Sequence, residues 1–275
     1  MSASVHPLAC VDPGAVLGDG VVVGPYAVIG AGVEIGDGTE IAAHAHVQGP
    51  TRIGRGNRIH PHACLGTDPQ DIKFAGEIVR LEIGDRNQIR EFVTIHRGTG
   101  KGGALTRVGD DNLLMVYSHV AHDCKVGSRT IFANNATLAG HCEVHDDAIV
   151  GAFSALQQFG RIGRHAYIGG FSRLLTDALP FVKTVGLRPV VLGVNRIGLQ
   201  RKGFDAERVA ALVRAFRLFL RAGLNATAAV ARLEAEFPGN EDVAYLVEFV
   251  RGARRGVIRA LPGRRGGEEG GAESA

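Results

Sequence analysis

The sequence predicts a mainly β protein, a triangular coil of short parallel strands that passes near its C-terminal end into a small α-helical domain. Three observations carry that prediction. Branched aliphatic residues recur every six positions through the first two thirds of the chain, glycine supplies 39 of 275 residues, and beyond about Val194 the apolar spacing becomes helical. A period of six fits neither a 3.6-residue helix nor an alternating strand. It fits a solenoid in which each hexad is a short strand and a turn, and three hexads close one coil of about 18 residues. With no Trp, 4 Tyr and 12 Phe, the core of such a prism is aliphatic.

The first run of hexads starts at Val5 and continues through Val11, Leu17, Val23, Ile29, Ile35, Ile41, Val47, Ile53 and Ile59 to Leu65. It resumes at Ile83, Ile89 and Ile95, shifts by one residue, and continues from Val108 through Leu114, Val120, Val126, Phe132, Leu138, Val144, Val150, Leu156, Ile162 and Ile168 to Leu174. The aliphatic side chain points into the prism, and a small residue four positions later fills the corner. Equivalent positions 18 apart stack at about 4.8 Å. Cys124 and Cys142 stand in that relation as small core residues. The two interruptions, at about 67–80 and 98–106, follow hexads of the same phase, so both loops leave one edge of the prism. Loops gathered at one edge mark a place where a site is built.

The prism is expected over residues 1–192. From 193 to 261 a helical domain is expected: Val209, Leu212, Val213, Phe216 and Leu220 follow the helical rule behind a capping Asp205. Val230, Leu233 and Phe237 do so behind Asn225, and Val243, Leu246, Val247 and Val250 form a further apolar stripe. The glycine-rich, charged stretch 262–275 reads as a disordered tail. Longer apolar stretches such as 181–194 are broken by Lys183, Gly186, Arg188 and Pro189, so no membrane span is expected. The first residues lack the charged and apolar regions of a secretory signal, which points to the cytoplasm. Cys10, Cys64, Cys124 and Cys142 show no CxxC spacing, and free thiols are expected. A net charge of +3 is too small to indicate a nucleic-acid partner.

Histidines concentrate near the middle of the chain: His119, His122, His141, His145 and His165, with His96 on an earlier coil. By coil arithmetic His122 stacks beside Gly140 and its neighbour His141, and the next coil brings Gln158. Asp123 follows His122 and is placed to orient its ring. Such a column suits general-base catalysis, in which a neutral imidazole takes a proton from an alcohol while backbone N–H groups stabilise an oxyanion. No serine or cysteine nucleophile stacks with His122, so direct attack is favoured over a covalent intermediate. Two other readings stay open on the residues alone. One is a zinc enzyme using His119, His122 and His141, and the other is a scaffold whose outward histidines decorate a solvated wall.

Longer runs carry a resemblance to a family. Residues 70–77 (QDIKFAGE), 83–87 (IGDRN), 93–99 (VTIHRGT), 121–124 (AHDC), 133–141 (ANNATLAGH), 193–195 (GVN) and 201–204 (RKGF) resemble UDP-N-acetylglucosamine O-acyltransferase, across nearly the whole chain to Arg259. The hexads by themselves resemble the wider hexapeptide family, whose fold is a left-handed parallel β-helix. The handedness comes from this resemblance, because the usual crossover rule predicts the opposite. The resemblance implies transfer of a 3-hydroxyacyl chain from acyl carrier protein to the sugar 3-hydroxyl of UDP-N-acetylglucosamine, the first step of lipid A synthesis, by a homotrimer with sites between adjacent prisms. It implies no metal and no cofactor beyond the 4'-phosphopantetheine carried by the donor.

By the same resemblance His122 is the general base, Asp123 orients it and the Gly140 amide serves the oxyanion. His119, His141, Gln158, Gln70, Asp71 and Lys73 surround the sugar and acyl group, with the Asp71 loop reaching toward a neighbouring subunit. Asn195 and Arg201 meet the nucleotide, where an arginine suits pyrophosphate charge, and Gly170 stands where acyl length is measured. The chain departs from the family at Gln157, commonly a histidine, and at Ile197, commonly acidic. An amide at 157 can hydrogen-bond but cannot titrate, and an amino-sugar variant of the acceptor stays open. A γ-carbonic-anhydrase-like zinc enzyme is the more distant alternative. From 196 to 259 the chain carries twelve Lys and Arg against seven Asp and Glu, a net charge of +5. A basic surface of that kind fits an acidic carrier protein.

Overall fold

The computed structural model describes residues 2–220 and 224–259. The tail expected at 262–275, the last residues of the expected helical domain and Arg221 lie outside the described residues. Strands of two to five residues stack into three sheets of eleven, nine and eight strands among the described residues, here called the first, second and third faces. Within each face the order steps by three through the chain until the last two strands of the first face, the signature of a three-sided coil. All pairs are parallel except the last, where Val182–Val185 and Val190–Val194 form an antiparallel hairpin that ends the stack.

The hexad aliphatics are the core. Ile29, Ile41, Ile53, Ile59, Leu65, Ile89, Ile95 and Leu114 are fully buried, with Ala27, Ala45, Ala63, Cys124, Ala136, Cys142, Ala148 and Ala166 filling the corners at 0% exposure. Each coil turns three corners, and many corner residues other than glycine adopt φ near +60°, including Asp123, His141, Asp147, Phe159 and His165. At the corner from the first face to the second, Tyr26, His44, His62, Phe92 and Tyr117 stack ring on ring with centroids 4.8–5.0 Å apart.

Pairing offsets report the two interruptions. Coils pair 18 residues apart, as at Glu40 and Arg58, but Arg58 pairs with Gln88 and Gln88 with Leu113. Leu65 pairs with Ile95 and Arg80 with Leu105, so segments 68–79 and 97–104 both leave the prism at the corner from the second face to the third.

Across the same coils a buried amide ladder holds the register. Asn57 Oδ1 accepts from Asn87 N and Nδ2 at 2.9 and 3.0 Å, Asn87 Oδ1 from Asn112 N and Nδ2 at 2.9 Å each, and Asn112 Oδ1 from Thr130 at 2.8 and 2.6 Å. Asn57, Asn87 and Asn112 are at most 1% exposed, so removing one leaves its neighbours unpaired without water to replace it. Asn87→Leu is expected to lower stability by about 1–3 kcal/mol, seen as a drop in the urea midpoint at unchanged slope.

Helix α1 spans Arg196–Arg201, α2 Ala206–Phe219, α3 Ala226–Glu236 and α4 Glu241–Arg251. Asn195, Asp205, Asn225 and Asn240 cap them, each side chain accepting an N–H of the first turn, which satisfies a donor the helix cannot. Helix α2 packs on the closing hairpin, and the helices pack on one another in a core that includes Leu212, Phe216, Leu233, Leu246 and Val250. Polar anchors fix the join. Arg164 and Arg208 share the buried Asp242, Arg161 bonds Asp177 and the Phe249 carbonyl, and Tyr245 Oη lies 2.8 Å from His145 Nδ1.

Candidate active site at the second corner

Four of the six histidines come together where the second face turns into the third. His122 and Asp123 follow the strand His119–Val120, and His141 occupies the same corner one coil on. The other two do not join them. His145 packs on Tyr245 and Phe249 of α4, and His165 stacks near Phe181 and Phe204 at the corner from the third face to the first. Helix packing claims them, so the expected mid-chain cluster is smaller than spacing suggested.

His122 Nδ1 lies 2.8 Å from Asp123 Oδ2. The carboxylate can only accept, so the ring proton sits on Nδ1 and the Nε2 lone pair is free. The imidazole lies flat against Gly140: a Cβ built there would stand 2.5 Å from Cε1 and 2.7 Å from Nε2. Gly140 keeps an ordinary negative φ, so it supplies space and not an unusual conformation. Its N–H donates to no other group among the described residues. His122 is 7% exposed, less open than an outward column implied, because segment 97–104 folds over Asp123.

Neighbouring rings fill the wall. His141 meets His122 edge-on at 5.1 Å and stacks on Phe159 at 4.6 Å, and its Nε2 is 3.6 Å from Asp123 Oδ2. His119 Nδ1 bonds Thr94 Oγ1 at 2.7 Å and meets His96 edge-on. Burial pushes the imidazoles of His119 and His141 below the ordinary histidine value, opposed at His141 by the charges of Asp123 and Asp71. His96, with Nδ1 buried and unpartnered, is pushed down to about 4, first by burial and then by its histidine neighbours. Rings held neutral in this way present lone pairs and N–H groups instead of cations.

That depression has a consequence for stability. The unfolded chain binds a proton at His96 below the ordinary value of 6.5 while the folded chain refuses it down to about 4. The contribution is therefore complete above about pH 6.5 and is lost as the pH falls toward 4. Urea midpoints are expected to decline across this window, and His96→Gln is expected to flatten the decline.

The zinc set imagined from sequence is rearranged. Among the described residues the donor atoms that approach within 4.8 Å belong to His122, Asp123 and His141, and His119 is not among them. Tetrahedral zinc ligands at about 2.0–2.1 Å stand roughly 3.3 Å apart. The 2.8 Å contact of His122 with Asp123 is a shared-proton distance instead.

Other expected site residues are placed as follows. Gln158 follows on the next coil beneath Arg255, which bonds its carbonyl and lies over Phe159. Gln70, Asp71 and Lys73 lie on the loop at the same corner, where Asp71 Oδ1 accepts the Lys73 N–H and Ile72 and Ile78 are fully or almost fully exposed. Asn195 caps α1, and its amide bonds the His165 carbonyl. Arg201, exposed at the end of α1, neighbours Lys202, whose Nζ is 2.7 Å from Asp147. Asn195 and Arg201 thus stand at the corner from the third face to the first, and Gly170 at the corner from the first to the second. One chain does not bring these residues to His122.

Beside His141 and Asp123 opens a cavity of about 590 Å³, lined by Lys101, Lys125, Arg161 and Arg254 as well as Glu143 and Asp177. Thr99, on the second loop, grips the Asp123 carboxylate, a contact that the hexad period does not predict. The signal available was the run Arg97-Gly98-Thr99, but its offset from Asp123 is not a multiple of the coil.

Comparisons with known proteins agree with this architecture. Residues 177–258 match the family described as Udp N-acetylglucosamine O-acyltransferase, Domain 2, and residues 14–49, 32–67 and 105–140 match the bacterial transferase hexapeptide. The chain is 51% identical over 261 residues to the acyl-(acyl-carrier-protein)–UDP-N-acetylglucosamine O-acyltransferase of Verminephrobacter eiseniae, covering 94% of this chain and 100% of that one. The crystal structure of UDP-N-acetylglucosamine O-acyltransferase from Moraxella catarrhalis superposes with a TM-score of 0.90 at 38% identity, covering 94% of this chain and 100% of that one. The acyltransferase of Francisella novicida does so with a TM-score of 0.90 at 34% identity, covering 92% and 93%. The prism is accordingly the left-handed parallel β-helix of hexapeptide repeats, followed by C-terminal helices. Identity of that extent over nearly the full length means that the chain belongs to the UDP-N-acetylglucosamine O-acyltransferase family.

Proposed function

We propose that the chain transfers a 3-hydroxyacyl group from acyl carrier protein to the 3-hydroxyl of UDP-N-acetylglucosamine, the first step of lipid A synthesis, by general-base catalysis without a covalent intermediate. The observation that carries the mechanism is the His122–Asp123 pair lying against the free Gly140 N–H. His122 Nε2 takes the proton of the sugar hydroxyl as its oxygen attacks the thioester carbonyl. The Gly140 N–H receives the negative charge that develops on the carbonyl oxygen. Collapse breaks the C–S bond, and the proton on His122 passes to the departing thiolate. The atoms balance without a metal or a resident cofactor, since 4'-phosphopantetheine arrives on the donor.

Support for the substrates comes from the surroundings. Lys101, Lys125 and Arg254 beside the pair suit the phosphate of a pantetheine arm, and the basic helical segment above suits an acidic carrier protein. His119, His141, Gln158, Gln70, Asp71 and Lys73 are the proposed contacts of sugar and acyl group. Asn195 and Arg201 are assigned to the nucleotide and Gly170 to acyl length. Because these residues occupy three different corners, one substrate meets all of them only between neighbouring prisms, which supports a homotrimer. Among the described residues no helix is long and apolar enough to cross a membrane, and a carrier-protein donor fits a reaction in the cytoplasm.

The test is transfer by the chelator-treated protein from 3-hydroxyacyl carrier proteins of several lengths to UDP-N-acetylglucosamine, beside the 3-amino form of the sugar nucleotide. Turnover with the hydroxyl acceptor after chelation is the expected result. Turnover restricted to the amine would change the acceptor, and loss of activity on chelation would return the metal reading.

A further inference from the structure

We propose that Thr99 is the positioning residue of the catalytic pair, and that the short segment around it clamps the Asp123 carboxylate. The inference rests on the reading of His122 as general base. Asp123 is wholly buried as a side chain, so its oxygens depend on donors from the protein. Thr99 serves both of them: its backbone N–H donates to Oδ1 at 2.8 Å and its hydroxyl donates to Oδ2 at 2.7 Å. Thr99 is itself 5% exposed.

The hydroxyl has no freedom to turn elsewhere. Its lone pair accepts the Gly102 N–H at 3.2 Å, because Thr99 caps the one-turn 3-10 helix Gly100–Gly102, and its proton is thereby aimed at Asp123. Gly102 N–H and Ala104 N–H also close back on the Thr99 carbonyl at 3.0 and 2.9 Å. The carboxylate fits this turn closely. A Cβ on Gly98 would come 2.9 Å from Asp123 Oδ1, and one on Gly102 would overlap the carboxylate outright. From the other side Thr106 Oγ1 accepts the Asp123 N–H at 2.8 Å, which fixes the backbone but not the carboxylate.

Oδ2 thus receives two donors, the Thr99 hydroxyl and His122 Nδ1. With the first in place the carboxylate cannot rotate away from the imidazole, and His122 keeps the single tautomer whose Nε2 is free to act as base. Without it one carboxylate oxygen loses one of its two donors, and the ring loses its fixed reference. The second loop is then part of the machinery, although Thr99 touches no substrate.

Thr99→Val keeps the shape and the backbone N–H while removing only the hydroxyl. Its kcat for acyl transfer is expected to fall roughly 10- to 100-fold, the scale of a misplaced catalytic group. KM for both substrates is expected to stay within about twofold, since no binding contact is lost. Thr99→Ser is expected to restore most of the rate. Nitrogen-15 spectra of the ring should show one His122 tautomer in the wild type and the Ser variant, and a mixture in the Val variant. Thr99→Ala replaces Thr99→Val if the latter does not fold. Wild-type kcat in a folded variant lacking the hydroxyl, equal loss in Thr99→Ser, or failure of both Val and Ala variants to fold would each overturn the assignment, the last by making Thr99 a folding residue. Absence of transfer by the wild type, or retention of full rate by His122→Asn, would instead sink the underlying reading of the site.

Discussion

Alanine in place of His122 is expected to lower kcat for acyl transfer by about 10²- to 10⁴-fold, the contribution of a general base. The sugar hydroxyl holds its proton at neutral pH, and Nε2 is the free lone pair in the pair formed with Asp123. His119 and His141 do not replace it. His119 spends Nδ1 on Thr94, and His141 stacks on Phe159 with Nε2 turned toward Asp123. The hexad core beneath, including Val120, Cys124 and Val126, is untouched, so the variant should keep its circular dichroism and its association state. His122→Asn sharpens the experiment, because its amide can still donate to Asp123 but cannot take a proton. Rates near wild type for the asparagine variant would assign the base elsewhere.

Alanine at Gly140 is expected to be nearly as damaging, with kcat lower by about 10²-fold or more, although it adds a single methyl group. The methyl would stand 2.5–3.1 Å from three ring atoms of His122, closer than side-chain carbons pack. The imidazole must swing out, or the coil must spread at the corner that also carries the Gly140 N–H proposed to receive the oxyanion. Backbone strain plays no part, because Gly140 has a φ that any residue adopts. The cause can be isolated by combining the two changes. If the methyl acts by displacing the ring, Gly140→Ala adds almost no further loss to His122→Ala, and the two costs are strongly non-additive. Full additivity would show that the methyl acts on the oxyanion amide itself.

Much of this was legible in the chain. One aliphatic in six, followed by a small residue four positions on, leaves a single way to fill a three-sided interior, and a slip of one residue would turn that whole set outward. Phase therefore fixes neighbours. His122, Gly140 and His141 meet as the 18-residue step requires, and the helix caps Asp205 and Asn225 stand where their side chains meet free N–H groups. Arithmetic ends where the loops begin. Pairs stand 30 and 25 residues apart across the two interruptions, and Thr99 reaches Asp123 over 24. No repeat sets those offsets, since they depend on how each loop folds back.

The sequence by itself determined the prism, its core and the column of catalytic candidates, because a strict period converts directly into contacts. Only the tertiary structure decided that the helical domain packs over His145 and His165, that Asn195 and Arg201 stand at a corner away from His122, and that Thr99 holds Asp123. The physical reason is common to all three. They depend on where a chain leaving the repeat comes to rest, and that is settled by burial and hydrogen bonding between segments whose separation in sequence carries no period.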